Sequence, residues 1–310
     1  MPTLKHPRVA ISLGDINGVG VEIALKAHAE ISKIVAPLYC IDRPLLERAA
    51  KRLDVVIPND FTLSEIGYDV EIEPGMVSEK SGEFSYHSFL HAINLAKADG
   101  VDAIVTLPIH KEAWSLAGIK YKGHTDMLRD IFQKDAIMML GCEKLYVALF
   151  TEHIPLQAVA SSLTLERLTT FLEDFHHAIG DHKIAVLGLN PHAGDNGVLG
   201  NEEEIISEVI TSLNSALGKE FFVGPIVPDI AFTPHFREQY TYMVAMYHDQ
   251  GLGPLKALYF DESINVSLNL PIIRTSVDHG TAFDIAYKGE AKTLSYINAI
   301  TVAKALTSKS

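Results

Sequence analysis

Cysteine is nearly absent from this chain, which carries only Cys40 and Cys142 in 310 residues. Two cysteines so far apart exclude a disulfide framework of the kind that stabilises small secreted proteins. No apolar run reaches the length that a membrane-spanning helix needs. The first ten residues also lack the apolar core of a signal peptide. These absences predict a cytoplasmic protein that has no membrane partner.

Basic residues are also in short supply, because 26 lysines and arginines face 39 aspartates and glutamates. The formal net charge of −13 argues against nucleic acid as a partner, since such binding requires a basic surface. An anionic small molecule needs only a local basic cluster and therefore stays possible. With 47% hydrophobic and 21% charged residues, the composition is that of a globular protein large enough for two lobes.

Apolar runs typical of buried strands alternate with helical patterns along the sequence. Strands are expected at residues 9–13, 38–41, 103–107, 145–150, 184–189 and 243–247, and near residues 266 and 272. Helices are expected at residues 19–30, 45–53, 85–97, 112–116, 125–132, 165–179, 202–217, 252–256 and 293–307. This alternation predicts an α/β fold with mostly parallel sheets. No long linker interrupts it, so we expect two lobes connected by ordered chain.

Three of the strand-like runs end in a histidine, namely His153, His192 and His248. Residues just past the carboxyl ends of parallel strands converge on one crevice. Three neutral imidazoles there would hold a divalent metal and leave positions open for substrate. Two further runs end in His110 and His235, so position alone leaves five candidates. For each of them the alternative is a hydrogen-bonded loop histidine without a metal.

Two segments at the starts of predicted helices have the residue types of anion sites. The loop Gly14–Gly20 follows a strand, and its backbone N–H groups would favour an anion. A tight turn that needs glycine is an equally good interpretation, and the spacing matches neither the dinucleotide fingerprint nor the P-loop. His124 and Thr125 would donate hydrogen bonds to an oxyanion, although Thr125 would also serve as a plain helix cap.

The last third of the chain concentrates polar residues in apolar surroundings. Lys256, Asn265 and Arg274 offer an ammonium, an amide and a guanidinium, which suit a carboxylate or a phosphate. Each of them alone would also be ordinary on a solvated surface. Residues 278–286 are small and polar, so a flat ring could approach the backbone there, and Asp284 could accept hydrogen bonds. A loop with helix-capping residues is the alternative interpretation of this segment.

Together these motifs resemble the 4-hydroxythreonine-4-phosphate dehydrogenases of pyridoxine biosynthesis, a family related to isocitrate and isopropylmalate dehydrogenases. The resemblance covers nearly the whole chain and includes residues 14–15, 106–111, 123–125, 188–194, 245–251 and 274–286. It implies a two-lobed α/β/α fold of the isocitrate dehydrogenase type, with the active-site cleft between the lobes. It further implies an NAD-binding lobe of residues 1–130 plus 270–310. Residues 131–269 would form the lobe for metal, substrate and dimerisation.

The resemblance also implies the reaction and its participants. The expected reaction is NAD- or NADP-dependent oxidation of 4-phosphohydroxy-L-threonine at C3, followed by decarboxylation to 3-amino-2-oxopropyl phosphate. The expected metal is zinc, magnesium or cobalt, bound by His153, His192 and His248, which leaves His110 and His235 with structural or supporting roles. The family is a homodimer whose active site takes residues from both subunits.

The remaining site residues divide by role. Those expected to bind substrate are His124, Thr125, Lys256, Asn265 and Arg274. Those expected to bind the cofactor are Gly14, Asp15, Asp278, His279, Gly280, Thr281, Ala282 and Asp284. The candidate catalytic residues are Lys256, Asp249 and Asp229, with either aspartate as the base that takes the hydroxyl proton.

Three other functions compete with this expectation. A metallohydrolase would use the same three histidines to activate water, but it would leave residues 278–286 without a role. An acyl transferase acting on phosphates would share the fold and need no metal triad. A related dehydrogenase of threonate or erythronate 4-phosphate would keep the metal and NAD sites and change only the contacts to the substrate amine.

Overall fold

The computed structural model describes residues 6–308, which form two compact units. Unit 1 contains the chain up to Lys134, residues 264–266 and the chain from Leu270 onward; unit 2 contains residues 135–263 and 267–269. The sequence places the lobe boundaries near residues 130 and 270, and what each lobe binds stays a prediction. Within the described range, no helix has both the length and the apolar character that a membrane span requires.

The chain enters unit 1 first, as alternating strands and helices. These elements are β1 (Arg8–Ser12), α1 (Gly20–Ile31), β2 (Ala36–Cys40), α2 (Arg43–Leu53), α3 (Glu79–Lys97), β3 (Ala103–Thr106), α4 (Lys111–Leu116) and α5 (His124–Phe132). The chain then forms unit 2, which contains β4 (Ile137–Cys142), β5 (Leu145–Leu149), α6 (Val159–Ser162), α7 (Leu165–Ile179), β6 (Ile184–Leu187), α8 (Glu202–Leu217), β7 (Phe222–Ile226), α9 (Pro228–Ala231), α10 (Pro234–Arg237), β8 (Tyr242–Ala245) and α11 (His248–Tyr259). Two short helical turns, Leu156–Ala158 and Pro191–Gly197, also belong to unit 2. The last elements are β9 (Ile264–Leu268), β10 (Arg274–Val277) and α12 (Leu294–Thr307).

In unit 1, four parallel strands lie in the order β2-β1-β3-β10. The fully buried sequence of β3, Ala-Ile-Val-Thr, is typical of a parallel strand that is covered on both faces. A cluster around Trp114 and Phe89 packs beside this sheet, and the Trp114 indole donates a hydrogen bond of 2.7 Å to Ser85 Oγ. Because β1 and β3 are neighbours, the loops that follow them lie at the same edge of the sheet.

In unit 2 the strand order is β4-β5-β8-β6-β7. β4 and β5 form an antiparallel pair in which Met139 faces Ala148, whereas β5, β8, β6 and β7 are parallel. The core contains Val147, Met243 and Ala185 of the central strands, with Leu252 and Leu255 of α11 packed against them. The predicted α/β fold with mostly parallel sheets is therefore confirmed.

Several predicted elements have different bounds in the structure. Helix α3 begins at Glu79 rather than near residue 85, because Ser78 caps it and accepts a hydrogen bond from Ser81 N. The short helix expected at residues 252–256 extends from His248 to Tyr259, so His248 opens a helix instead of standing free after a strand. Strands β4 and β7 have no counterpart in the prediction.

Candidate active site

The three strands whose runs end in histidine are neighbours in unit 2. β8 lies between β5 and β6, and all three are parallel, so the residues after them leave the same edge of the sheet. His153 follows β5, His192 follows β6 and His248 follows β8. The three chain segments therefore begin at one edge of the sheet, while convergence of the three imidazoles on one metal stays a prediction.

His153 and His248 form a close pair at this edge. Their ring centroids are 5.4 Å apart and the ring planes are inclined by 45°. His248 Nδ1 lies 2.7 Å from Asp249 Oδ1, to which it can donate a hydrogen bond. A carboxylate on one ring nitrogen fixes the tautomer and leaves Nε2 with its lone pair, as metal-binding histidines require. The pair therefore fits two of the three ligand positions of a divalent metal.

His192 occupies a different kind of backbone. It lies in the segment Pro191–Gly197, where residues 192–196 all have the positive φ angles of the left-handed region. Across the described residues of the single chain, no three His, Cys, Asp or Glu side chains come together as a metal site. The structure thus pairs His153 with His248, and no group of three such side chains within the described residues of one chain adds His192 to them.

Two residues that the sequence prediction missed hold the chain around His192. The buried Glu203 carboxylate accepts hydrogen bonds from the backbone N–H groups of Leu189 and Asn190. Gln250 bridges Met246 N and Gly188 O. Glu203 is the middle of three successive glutamates, so no feature of the sequence distinguishes it from its neighbours. Gln250 could have been suspected only from its position two residues after His248.

In unit 1, Arg274 at the start of β10 is a buried guanidinium, only 2% exposed. It donates a hydrogen bond of 2.6 Å from Nη2 to Thr106 Oγ1 at the end of β3. Desolvation lowers the pKa of Arg274 to about 9, so the side chain is still charged at neutral pH. A buried cation of this kind suits recognition of a substrate anion.

His124 opens helix α5 beside this guanidinium. Its ring meets Phe89 and Trp114 edge-on, at centroid distances of 4.6 and 5.9 Å. Desolvation, and secondarily the charge of Arg274, lowers the pKa of His124 well below its usual value, so the imidazole is neutral. Its buried Nε2 has no hydrogen-bond partner among residues 6–308. Such an atom suits a hydrogen bond with a bound ligand.

Thr125 and Asn265 also belong to unit 1. Thr125 is 9% exposed in the first turn of α5. The side-chain oxygen of Asn265, on β9, is buried and accepts no hydrogen bond from the described part of the protein. Four of the five predicted substrate residues therefore lie in unit 1, and Lys256 lies in unit 2 on α11.

The glycine loop after β1 uses its backbone N–H groups inside the protein. Asp15 N donates to Pro108 O, Asn17 N to the Asp15 carboxylate, Gly18 N to Asp15 O and Val19 N to Thr281 O. Gly14 has a φ of +69°, and a side chain there would collide with the carbonyl of Pro108. This geometry favours the tight-turn interpretation over the anion cradle, while contact of Gly14 or Asp15 with a cofactor stays a prediction.

Asp15 is a fully buried carboxylic acid in this loop. Ser81 Oγ donates to it over 3.1 Å, in addition to Asn17 N over 2.9 Å. Desolvation raises the pKa of Asp15 to about 6, against the lowering effect of these hydrogen bonds and of nearby His110. The His110 ring stacks on Phe283, with centroids 4.9 Å apart.

The predicted cofactor segment after β10 is irregular. His279 Nδ1 contacts Gly280 O, Ala282 has a φ of +45°, and Asp278 N donates to Ser295 Oγ of helix α12. His279 Nε2 is buried and has no partner within the described range. The segment also contains Thr281, which is buried, and Gly280 and Asp284, which are exposed. A side chain at Gly280 would point into open space.

The remaining candidates lie in unit 2 on separate helices. Lys256 is half-buried, with its ammonium 5.9 Å from the Phe260 ring. Asp229 is exposed on α9, and His235 is exposed on α10 with its ring near the Gln239 amide. Asp249 faces His248, as described above. The catalytic role of each of them stays a prediction.

Comparison with known proteins gives consistent results. A family model described as pyridoxal phosphate biosynthetic protein PdxA matches residues 33–303. The chain is 64% identical over 303 residues to the 4-hydroxythreonine-4-phosphate dehydrogenase of Sulfurimonas denitrificans, covering 98% of this chain and 99% of that one. It is 55% identical to the protein of that name from Campylobacter fetus, covering 97% and 98%. The crystal structure of 4-hydroxythreonine-4-phosphate dehydrogenase from Klebsiella pneumoniae superposes with a TM-score of 0.82 at 32% identity, covering 98% and 99%.

Proposed function

The chain belongs to the family of pyridoxal phosphate biosynthetic protein PdxA, and on that premise we propose that it oxidises 4-hydroxythreonine 4-phosphate with NAD or NADP. The observation that carries this proposal is 64% identity to a named dehydrogenase over 98% of the chain. This relative is named a dehydrogenase, and the alignment covers 99% of its length. It therefore favours oxidation over the metallohydrolase and acyl-transferase alternatives. Loss of hydride from C3, followed by loss of CO₂, would give 3-amino-2-oxopropyl phosphate.

The residues of unit 1 would bind the anionic substrate. Arg274, buried and still charged, would neutralise a phosphate or carboxylate oxygen. The His124 imidazole is neutral, and its buried Nε2 has no hydrogen-bond partner among the described residues. It would orient a polar group of the substrate without adding charge. Thr125 and Asn265 would supply further hydrogen bonds, and Lys256 a second positive charge. Hydrophobic Phe89 and Trp114 beside His124 would keep water away from that contact.

A divalent cation, zinc, magnesium or cobalt, would be held by His153, His248 and His192. When bound there it would supply Lewis-acid polarisation of oxygen. The Asp249 carboxylate would hold the Nδ1 proton of His248, which would leave Nε2 as the nitrogen that binds the cation. This contact suits Asp249 to orientation of His248 and leaves Asp229 and Lys256 as the candidates for proton transfer.

A homodimer would bring the third histidine to the pair. Within the described residues of one chain His192 does not complete a three-residue metal site with His153 and His248, so we infer that a second copy supplies it. Unit 2 also carries most of the exposed large apolar side chains, among them Leu156, Val198 and Phe260, which would be covered in a dimer. We expect the assembly to work in the cytoplasm.

The nicotinamide cofactor would bind along the segment from Asp278 to Asp284. Open space beside Gly280 and the buried, unpartnered Nε2 of His279 fit a flat ring and a hydrogen-bonding ligand at this segment. The exposed Asp284 carboxylate would accept hydrogen bonds from a ribose. Gly14 and Asp15 would support this segment from the protein side, since their loop packs directly against Thr281 through Gly18 and Val19.

The decisive experiment is an absorbance assay for NADH formation. The purified protein is given NAD or NADP and one of the substrates 4-phosphohydroxy-L-threonine, threonate 4-phosphate and erythronate 4-phosphate, each with and without a chelator. We expect turnover with the first substrate and its loss on chelation. Turnover only with a sugar-acid phosphate would transfer the proposal to the related dehydrogenase, and no turnover with any of them would contradict oxidation.

A further inference from the structure

The segment that carries His192 has the left-handed backbone conformation, which most L-amino acids disfavour. His192, Ala193, Asp195 and Asn196 all have φ angles between 44° and 53°, with Gly194 at 77° between them. Each residue with a Cβ costs roughly 1–2 kcal/mol in left-handed backbone. Such strain persists only where the surroundings impose it, and it is most often found at functional sites.

The Glu203 side chain contacts the backbone at the beginning of this segment and packs against Gly194 within it. It is 7% exposed, and its Oε1 accepts from Leu189 N at 2.8 Å and from Asn190 N at 2.7 Å. Its Oε2 accepts from Asn190 Nδ2 at 2.9 Å. Gly188 and Gly194 also pack on the carboxylate, so closely that a Cβ at Gly194 would lie 2.6 Å from Oε2. The backbone from residue 188 to residue 194 thus wraps around one buried charge.

Gln250 fixes the beginning of the same loop to the helix of His248. Its Nε2 donates to Gly188 O at 2.7 Å and its Oε1 accepts from Met246 N at 2.7 Å. Both polar ends of a buried amide are therefore used, and they join the carboxyl ends of β6 and β8. The loop that carries His192 and the helix that carries His248 are consequently tied together at their origins.

We propose that Glu203 and Gln250 are positioning residues that hold His192 in its metal-binding orientation before any cation arrives. This inference rests on the metal site of the proposed function. A metal binds more tightly to a side chain that is already oriented, because the free energy needed to order the loop then does not reduce the free energy of metal binding. Neither residue touches the cation, so they act through the backbone around His192.

The test compares two variants that remove the same charge from the same turn of helix α8. Glu203→Gln keeps the shape of the side chain but turns one acceptor into a donor that faces the backbone N–H groups. Glu204→Gln is the matched control, because Glu204 is exposed. Metal-free full-length protein is titrated with Co²⁺, and the visible absorption of the bound ion gives both affinity and coordination. For Glu203→Gln we expect a dissociation constant at least about tenfold higher and an altered spectrum, with the control close to the unsubstituted protein.

Gln250→Glu provides a second test should Glu203→Gln fail to fold. Its carboxylate can still accept a hydrogen bond from Met246 N but cannot donate one to Gly188 O. We therefore expect Co²⁺ to bind more weakly than to the unsubstituted protein, as in Glu203→Gln. The positioning role would be overturned if the folded variants bound Co²⁺ as tightly as the unsubstituted protein, or if Glu204→Gln lost as much Co²⁺ affinity as Glu203→Gln. Neither result would contradict the metal site itself. If the unsubstituted protein bound no Co²⁺ at all, the metal site of the proposed function would fall together with this inference.

Discussion

Asp15 gives this protein a buried acid whose ionisation opposes folding. The pKa of Asp15 is about 6 in the folded chain and near 3.8 in an unfolded one, because burial disfavours the carboxylate. The folded state therefore binds more protons between these values, and its stability falls as the pH rises through that window. The full effect is of the order of 3 kcal/mol in the free energy of unfolding.

The substitution Asp15→Asn should remove this dependence on pH. We expect the free energy of unfolding of the variant, relative to the unsubstituted protein, to rise between pH 4 and pH 7. The measurement is urea denaturation at several pH values. Glu30→Gln, at an exposed residue of α1, serves as the control and should show no such trend. A constant difference between variant and parent over this range would mean that Asp15 is already ionised at low pH.

Arg274→Lys tests the proposed recognition of the substrate anion. A lysine places one ammonium where the guanidinium of Arg274 holds Thr106 Oγ1 and, in the proposed function, also contacts the substrate anion. Losing one charged hydrogen bond costs about 1.5–3 kcal/mol, so we expect KM for 4-hydroxythreonine 4-phosphate to rise roughly ten- to a hundredfold. Steady-state kinetics would show this, with exposed Arg43→Lys as control. An unchanged KM would count against the assignment of Arg274.

At the scale of single residues, the sequence identifies side chains that follow strands but not those that support them. His153 and His248 could be predicted to approach each other because each follows an apolar run, and the structure brings their rings together. Glu203 could not be predicted, since its importance comes from the backbone N–H groups that fold over it and not from its neighbours in sequence. The left-handed backbone of residues 192–196 was missed as well, although Gly194, Asp195 and Asn196 are residue types that adopt it readily.

Helix α3 shows how packing overrides helix propensity. Gly82 lies inside this helix, where alanine would normally stabilise by about 1 kcal/mol. A Cβ at Gly82, however, would lie 2.1 Å from the carbonyl oxygen of Ala113, in helix α4. Because that neighbour is backbone, relief requires the two helices to move apart.

We therefore expect Gly82→Ala to destabilise unit 1 by a few kcal/mol in the free energy of unfolding, the range of overpacked sites. Asn94→Ala, on the exposed part of the same helix, is the control and should gain a few tenths of a kcal/mol from propensity alone. Thermal and urea denaturation of both variants would measure the difference. A stabilised Gly82→Ala protein would show that α3 and α4 can separate without cost.

Elements with a strong periodicity were predictable, whereas those interrupted by glycine or proline were not. Helices α7 and α8 have the predicted bounds, because their apolar positions recur at helical spacing. Helix α11 was predicted too short, since Gly251, Gly253 and Pro254 lie inside it. Strand β7 contains Gly224 and Pro225, and β4 is an unpatterned apolar run that pairs antiparallel with β5. In these cases tertiary contacts decide the structure.

For the whole molecule, the proposal that a second copy supplies His192 predicts shared active sites. The variants His192→Ala and His248→Ala should each be inactive alone. In a mixed dimer, one site would receive His153 and His248 from one protomer and an intact His192 from the other. With random mixing and two sites per dimer, activity should return to about a quarter of that of the unsubstituted protein.

The measurement is co-refolding or co-expression of the two variants with separate affinity tags, followed by the NADH assay. Mixing His192→Ala with His153→Ala should give the same recovery. Mixing His153→Ala with His248→Ala is the control and should give none, because both ligands would come from one protomer. Recovery in that control, or its absence in the first mixture, would contradict a site completed by a second copy.

The place of β8 between β5 and β6 has a consequence for the way the polypeptide emerges from the ribosome. The hairpin β4–β5 and the pair β6–β7 are both complete before Tyr242 is synthesised, yet each leaves an open edge that only β8 can cover. Pairing between strands that are distant in sequence is slow, and until it occurs the unpaired backbone N–H and C=O groups of these edges stay exposed. A nascent chain that exposes β7 but not yet β8 should therefore be prone to aggregate or to recruit chaperones, and pairing of β8 should close the edges of β5 and β6.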